Sequence, residues 1–500
     1  MNEKVDFSWN FLENVTEALD SYKIRAFIDA KDEIIDCGVY NENQFYDILF
    51  KMIDEEKLKF ELYNYLKKNR DNRFSIIQQF SEEKKIEIKK VLSLLELLKV
   101  EGLISLEEIN ESNQNENVNE SFTKNFEDIL ININKSSIKQ LKPIYEPVKI
   151  IFNSNICSGC GMCAGICPMD CIDIQNGYGE IDEDKCIRCG LCYFFCPRSF
   201  LPVEILNIYQ NKTSEIKDYG KLGHFLEAYA ARTKVKEIKE VCQDGGVSST
   251  CILYLLNNNE IDLALGAKIG DNPWCPEPTI IENKEDIINT AGTKYVNNPN
   301  LKLLNKFNLE KEKKIAVVGV PCMMEALLKS RIYDINIPSL NSVKYRIGIF
   351  CMESFSYEQG FLKICEKLNV NIKDIKKTDI NKGKFLIYTN NNEKFHIPIK
   401  EITHLAREDC EVCFDLTSES ADISIGSIGV PSGWNCVLLR TQKGKELFEA
   451  LKKNDLIESK PIEEVKPGLE LLKKIANGKK KQSFKHIAEK LEKNKKVPIY

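Results

Sequence analysis

The run CSGCGMCAGICP at residues 157–168 returns as CIRCGLCYFFCP at residues 186–197. Each copy sets three cysteines with two residues between them, then a fourth after three more residues, then proline. The first copy supplies Cys157, Cys160, Cys163 and Cys167, and the second supplies Cys186, Cys189, Cys192 and Cys196. This doubled spacing is that of a ferredoxin module holding two 4Fe-4S clusters. Three thiolates wrap three corners of a cubane while the chain turns, and the fourth comes from the other repeat because the chain has moved on. Cys157, Cys160, Cys163 and Cys196 are therefore expected to hold one cluster, and Cys186, Cys189, Cys192 and Cys167 the other. Zinc takes four ligands in a tetrahedron, usually as two separated pairs, and has no use for a third cysteine at this spacing twice over. Cys171 is a surplus thiol, read as packing. Gly159, Gly161 and Gly190 let the backbone approach the sulfurs, although a tight loop needs glycine for its own geometry. Such a module is a wire, so the chemistry must lie elsewhere in the chain.

Composition limits the rest. The chain has 500 residues, 43% hydrophobic and 29% charged, enough for two to four domains with sizeable cores. Its 70 Lys+Arg against 75 Asp+Glu, with a pI near 5.8, provide no basic field, so nucleic acid is not an expected partner. No apolar run reaches the length of a membrane span, and Met1–Asp6 opens an acidic amphipathic stretch. A cytoplasmic location without a transmembrane segment follows, compatible with a peripheral membrane complex. Of nineteen cysteines, nine lie between Cys157 and Cys196, the local usage of a metal site and not the scatter of disulfide staples.

The expected fold class is α/β: a ferredoxin-like two-cluster module plus a larger α/β domain, preceded by an all-helical N-terminal domain. The helical domain spans 1–108, with an apolar stripe of Val91, Leu92, Leu94, Leu95, Leu97, Leu98 and Val100. A linker, 109–150, contains the Asn/Glu/Ser-rich run Glu111–Ser121, too polar to offset the entropy of ordering. The ferredoxin module covers 151–205 and the α/β domain 219–500. KIAVVGV (Lys314–Val320) and KYRIGIF (Lys344–Phe350) read as strands, as do Ile261–Ile269 and Asp422–Ile428, in a partly parallel sheet. Residues 1–150 carry 21 Lys+Arg and 29 Asp+Glu, whereas 443–500 carry 16 and 9. The basic end is either a solvated surface or a face for an anionic ligand.

Four further cysteines sit where ligands converge. Cys322 ends the first strand in GVPC, Cys351 ends the second, and Cys410 and Cys413 form a CxxC. Side chains leaving the C-terminal ends of adjacent parallel strands meet where α/β domains bind ligands. On spacing alone, a cluster, zinc and ordinary buried thiols all fit.

The order of the doubled ferredoxin motif, QDGGVSS (243–249), AGTKYV (291–296), GVPC (319–322), IGIFC (347–351), AREDCEVC (406–413), ADISIGSIG (421–429) and GWNCVLLRT (433–441) resembles the family of coenzyme F420 hydrogenase/dehydrogenase beta subunits over roughly 150–500. The first 150 residues lie outside the resemblance. It implies an FAD-containing oxidoreductase subunit acting on coenzyme F420, with a partner redox subunit or enzyme such as a hydrogenase, dehydrogenase or reductase. It also implies a third 4Fe-4S cluster on Cys322, Cys351, Cys410 and Cys413. FAD would be held by Gly245, Gly246 and Ser248 at a helix start and by Thr293, Lys294 and Tyr295 in AGTKY.

Electron count supports this order of groups. A deazaflavin exchanges a hydride and an iron–sulfur cluster one electron, so FAD must stand between them. Lys479, Lys480 and Lys481 offer either a landing surface for the anionic F420 tail or a plain solvated helix. His224, His396, His404 and His486 are scattered and read as packed or surface residues. Two other readings compete: a ferredoxin-linked FAD/iron–sulfur reductase of a different organic substrate, and a redox regulator with a winged-helix unit at 74–109.

Overall fold

The computed structural model describes residues 145–186, 191–199, 222–307, 313–331, 337–493 and 495–498, with shorter pieces between 58 and 133 and at 201, 206 and 210. The chain divides into two compact units, Met1–Asp36 with Tyr40–Pro143 and Cys37–Val39 with Ile144–Tyr500.

In the first unit, helix α1 (Ser75–Lys84) and helical positions at 90–98 bury Ile76, Ile77, Phe80, Val91, Leu94, Leu95 and Leu98. Val91, Leu94, Leu95 and Leu98 recur at one helical face, so this part of the leucine stripe is internal core. Leu92, Leu97 and Val100 lie outside the described side chains. Strands β1 (Ile104–Glu108) and β2 (Ile129–Ile133) pair antiparallel. An all-helical unit followed by a structureless linker does not contain such a ribbon. Both strands are runs of five residues, ISLEE and ILINI, too short for helical periodicity to be read from them.

The second unit begins with helix α2 (Tyr145–Asn153), inside the expected linker. Val148, Ile151 and Phe152 pack into one core with Ile156 and the cysteines of the ferredoxin run, so the module starts before residue 151. Strands β3 (Ile172–Gln175) and β4 (Tyr178–Ile181) form a hairpin between the two cysteine repeats.

The main sheet has eight strands: β5 (Glu227–Thr233), β6 (Leu263–Ile269), β7 (Pro276–Ile281), β8 (Ile315–Gly319), β9 (Val343–Ile349), β13 (Ile423–Gly426), β14 (Asn435–Leu439) and β15 (Ile457–Pro461). Their order is β15-β5-β14-β13-β9-β8-β6-β7. The central pairs β13–β9, β9–β8 and β8–β6 are parallel, and the outer pairs are antiparallel. The partly parallel sheet and its four anticipated strands are therefore present. Central strands read as continuous apolar runs because both faces are covered. Helix α3 (Val247–Asn257) follows β5, and helices α4 (Lys284–Thr290) and α5 (Pro321–Lys329) follow β7 and β8. On β14, Val437 and Leu439 face a core shared with α3 and with helix α6 (Gln442–Lys453). Cys436 and Leu438 face the other way, onto Leu472 and Ala476 of the long helix α7 (Leu469–Glu492).

Between β9 and β13 the chain inserts a second, antiparallel sheet of β10 (Ile375–Asn381), β11 (Lys384–Thr389) and β12 (Lys394–Pro398). Phe385 and Ile387 of β11 pack with Val296, Phe355 and Phe361 and draw Tyr295 against them. Among the described residues no helix is long and apolar enough to cross a membrane.

Candidate functional site

The first ferredoxin loop turns through Gly159 and Gly161, both at positive φ. Gly161 precedes the short helix Met162–Gly165. A Cβ on Gly161 would stand 2.6 Å from the Lys302 amide nitrogen, and one on Gly165 would stand 2.0 Å from the Leu301 carbonyl oxygen. These glycines thus let residues 297–304 close over the loop. Asn297 Nδ2 donates to Ser158 O at 2.9 Å, and Leu301 N donates to Cys160 O at 3.2 Å.

This loop gathers Cys157, Cys160 and Cys163 with Cys196. Burial and then Cys196 push the Cys157 thiol up to about 12 and the Cys160 thiol up to about 11. Cys163 is also raised, by burial and then by Cys157, Cys160 and Cys196, with Cys192 close enough to contribute. Cys167, Cys186 and Cys192 lie in the same core as Cys157 and Cys163, and Cys189 lies outside the described residues. Cys171 belongs to this second group as well, since its Sγ is 3.4 Å from Cys167 Sγ. It is buried in that core.

The third group assembles from three segments. Cys322 lies in the first turn of α5, not at the end of β8, because Pro321 starts the helix once the strand stops at Gly319. Cys351 follows β9 directly, and its N–H donates to Leu416 O at 2.9 Å. Cys410 and Cys413 sit on and just after the 3₁₀ turn Glu408–Val412. Burial raises all of Cys322, Cys351 and Cys410. Cys413 adds to the first two and Cys351 to the third, so the four thiols share one neighbourhood. Cys322 also feels Cys160, which places this group beside the first.

Buried charges bind the groups together. Arg198 and Glu325, 1% and 3% exposed, pair at 3.2 Å. Lys329 Nζ donates to Cys196 O at 2.8 Å. Arg407 donates to Cys157 O at 2.6 Å, to Gly177 O at 2.8 Å and to Asp409 at 2.8 Å, with its guanidinium over the Tyr178 ring at 4.6 Å. It therefore ties the ferredoxin loop and hairpin to the turn bearing Cys410.

Lys479 and Lys480 are not a surface. On α7 the buried positions Leu472, Ala476, Lys479, Lys480 and Ser483 form one face turned inward. Lys479 Nζ donates to Cys351 O and Asp415 O, both at 2.7 Å, Lys480 pairs with Glu419 at 2.7 Å, and Ser483 Oγ donates to Cys413 O at 2.8 Å. Burial works against the Lys479 charge, but Cys413, Cys351 and Cys410 outweigh it and hold its pKa above the usual lysine value. Lys481 alone of the three is exposed.

The two glycine- and tyrosine-bearing motifs meet. Gly246, at positive φ, caps α3, and Gly245 packs so closely that a Cβ would stand 2.6 Å from both Ala231 O and Asn435 N. Asn435 Oδ1 takes the Val247 N–H at 3.1 Å, while the amides of Ser248 and Ser249 begin the helix without an intrahelical acceptor. Gln243 Oε1 accepts from Thr293 N at 3.5 Å and Gln243 Nε2 donates to Asp379 at 2.9 Å. Lys294 Nζ caps the end of α4 by donating to Thr290 O and Ala291 O, and burial pushes its pKa down to about 8. The Tyr295 hydroxyl accepts from Ile380 N at 3.1 Å. Burial, then Asp379, raises that hydroxyl, and Asp244 and Cys351 contribute too, so AGTKY borders the third thiol group. Lys294 and Tyr295 therefore have structural bonds of their own in addition to any ligand.

Two family models, described as the N-terminal and C-terminal parts of the coenzyme F420 hydrogenase/dehydrogenase beta subunit, match residues 228–305 and 312–465. A 4Fe-4S binding domain matches residues 180–201. The beta subunit of the coenzyme F420 hydrogenase of Methanosarcina barkeri is 37% identical over 273 residues, 54% of this chain and 93% of that protein. The chain belongs to the family of coenzyme F420 hydrogenase/dehydrogenase beta subunits. A subunit of the F(420)H(2) dehydrogenase of Methanosarcina mazei is 34% identical over 360 residues, 69% of this chain and 95% of its own. Among solved structures, a chain of the F420-reducing [NiFe] hydrogenase complex from Methanosarcina barkeri matches with TM-score 0.53 and 37% identity, covering 55% of this chain and 95% of that one. Membership makes this chain an F420-related iron–sulfur oxidoreductase subunit.

Sequence reasoning missed Arg198, Glu325, Lys329, Arg407 and the buried role of Lys479. For Lys479 a signal was present, since it falls on the same helical face as Leu472, Ala476 and Ser483. For Arg198 and Glu325, 127 residues apart, no local pattern links the partners.

Proposed function

We propose that this chain moves electrons between coenzyme F420 and a partner redox subunit, with FAD and three 4Fe-4S clusters as its resident groups. The observation that carries the proposal is the convergence of Cys322, Cys351, Cys410 and Cys413 between the flavin motifs and the first ferredoxin loop. When bound, FAD exchanges a hydride with the deazaflavin and single electrons with iron–sulfur clusters.

The thiol groups fit such clusters. Buried thiols that raise one another can ionise only with a cationic group among them, which iron supplies. Tetrahedral zinc would draw its four sulfurs to about 3.8 Å of one another. A cubane instead spreads its ligands over its corners, which suits thiols brought in from separate segments. Cys157, Cys160, Cys163 and Cys196 would hold one cluster, Cys167, Cys186, Cys189 and Cys192 the second, and Cys322, Cys351, Cys410 and Cys413 the third.

Gly246 and the free amides of Ser248 and Ser249 fit a pyrophosphate, and Gly245 sets the close approach of strand and helix that aims them. Thr293, Lys294 and Tyr295 would border the same ligand, Lys294 supplying a cation. The solved hydrogenase complex containing the related chain supports a partner subunit as the electron exchange site.

Burial lowers Lys294 to about 8, so in the free protein it is charged below that pH and neutral above it. An anionic cofactor favours the charged form. FAD affinity is therefore expected to be full below pH 8 and to weaken about tenfold for each pH unit above it. Fluorescence titration of apoprotein with FAD at pH 7 and 9 checks this, and a Lys294→Met variant should lose the dependence.

The activity itself is tested by anaerobic reconstitution with iron, sulfide and FAD, followed by reduced F420 with a viologen dye. Return of the oxidised deazaflavin absorbance is expected. Inert F420 in a flavin- and cluster-loaded protein that ferredoxin can reduce would instead favour a different organic substrate.

A further inference from the structure

We propose that Lys479 sets the reduction potential of the group held by Cys322, Cys351, Cys410 and Cys413. The inference rests on the reading of those cysteines as a cluster site. Lys479 Nζ donates at 2.7 Å to the carbonyls of Cys351 and Asp415, one on each of two ligand-bearing segments. Both acceptors are neutral backbone groups. The nearby Asp415 carboxylate is taken by the amides of Thr417 at 2.8 Å and Glu419 at 2.7 Å, and Glu419 is matched by Lys480. The Lys479 charge therefore lies beside both the thiols and the Asp415 carboxylate, buried at 7% exposure, where water screens it little.

A cluster that accepts an electron gains one negative charge. A cation locked beside its ligands stabilises that reduced form and raises the potential, as net charge and hydrogen bonding around a cluster generally do. Ser483 gives an internal comparison. Its hydroxyl donates to Cys413 O at 2.8 Å from the same face of α7, and carries no charge.

The test is an EPR-monitored redox titration of the full-length, anaerobically reconstituted protein. Lys479→Gln keeps an amide donor and loses the charge, Lys479→Met loses both, Lys479→Arg keeps the charge, and Ser483→Ala removes only a neutral bond. K479Q and K479M are expected to shift the third signal's oxidised-to-reduced ratio at least tenfold toward the oxidised form. For one electron that is a fall of about 59 mV. K479R and S483A should stay within threefold of the parent. An unchanged K479Q, or an equal shift in S483A, overturns the role of the charge. So does loss of about four irons per chain in both K479Q and K479R. Absence of a third signal in the parent protein itself would overturn the three-cluster reading instead.

Discussion

Replacing Cys351 by alanine should lower bound iron from about twelve to about eight atoms per chain and cut F420-driven viologen reduction roughly 100-fold. The backbone there is held independently of the thiol. The Cys351 N–H donates to Leu416 O and its carbonyl accepts from Lys479, so trimming the side chain removes a ligand without releasing the loop. The two clusters proposed for the cysteines in 157–196 should keep their dithionite-reduced EPR signals. Iron analysis, EPR and the dye assay on one preparation read all three. A variant with full iron content and full F420 turnover would remove Cys351 from the ligand set.

Arg440→Met should destabilise the second unit by about 3–5 kcal/mol. Arg440 is 1% exposed at the end of β14. Its guanidinium donates to Leu222 O at 2.9 Å, His224 O at 2.7 Å, Thr417 O at 3.1 Å, Thr417 Oγ1 at 2.8 Å and Ser424 Oγ at 2.7 Å. Methionine fills the volume and leaves these buried acceptors unsatisfied. Thr417 lies four residues beyond Cys413, so the loop below the third thiol group should loosen first. Thermal unfolding followed by flavin and cluster absorbance should show a lowered midpoint, and Arg440→Lys should recover little of it, because one ammonium cannot reproduce the planar fork. An unchanged midpoint would show that water satisfies these groups instead.

The doubled cysteine run was legible because its information is local: spacing alone separates a cubane from zinc. β8 and β9 were legible as short β-branched runs. The pairing of Cys322 and Cys351 with the distant CxxC became readable only through motif order, since nothing in either segment refers to the other. The three-stranded sheet of β10 to β12 escaped notice because its alternation is broken by the adjacent Lys376 and Lys377 in β10 and by the consecutive buried Phe385, Leu386 and Ile387 in β11. Lys479 was misread for a different reason. A lysine pair in a basic segment suggests a solvated or anion-binding face, and burial of an ammonium is tolerated only when the tertiary structure supplies two carbonyls and neighbouring thiolates. Arg407 stands inside AREDCEVC, yet its partners Cys157 and Gly177 lie some 230–250 residues away.

The central claim is that F420 and the ferredoxin clusters are joined through this one chain. The most direct measurement mixes the anaerobically reconstituted protein with one equivalent of reduced F420, freezes it, and records the EPR spectrum before any dye or partner is added. Reduced-cluster signals rising as the deazaflavin is oxidised are the predicted result. A sample that stays EPR-silent with reduced F420, yet develops those signals with dithionite, would contradict it.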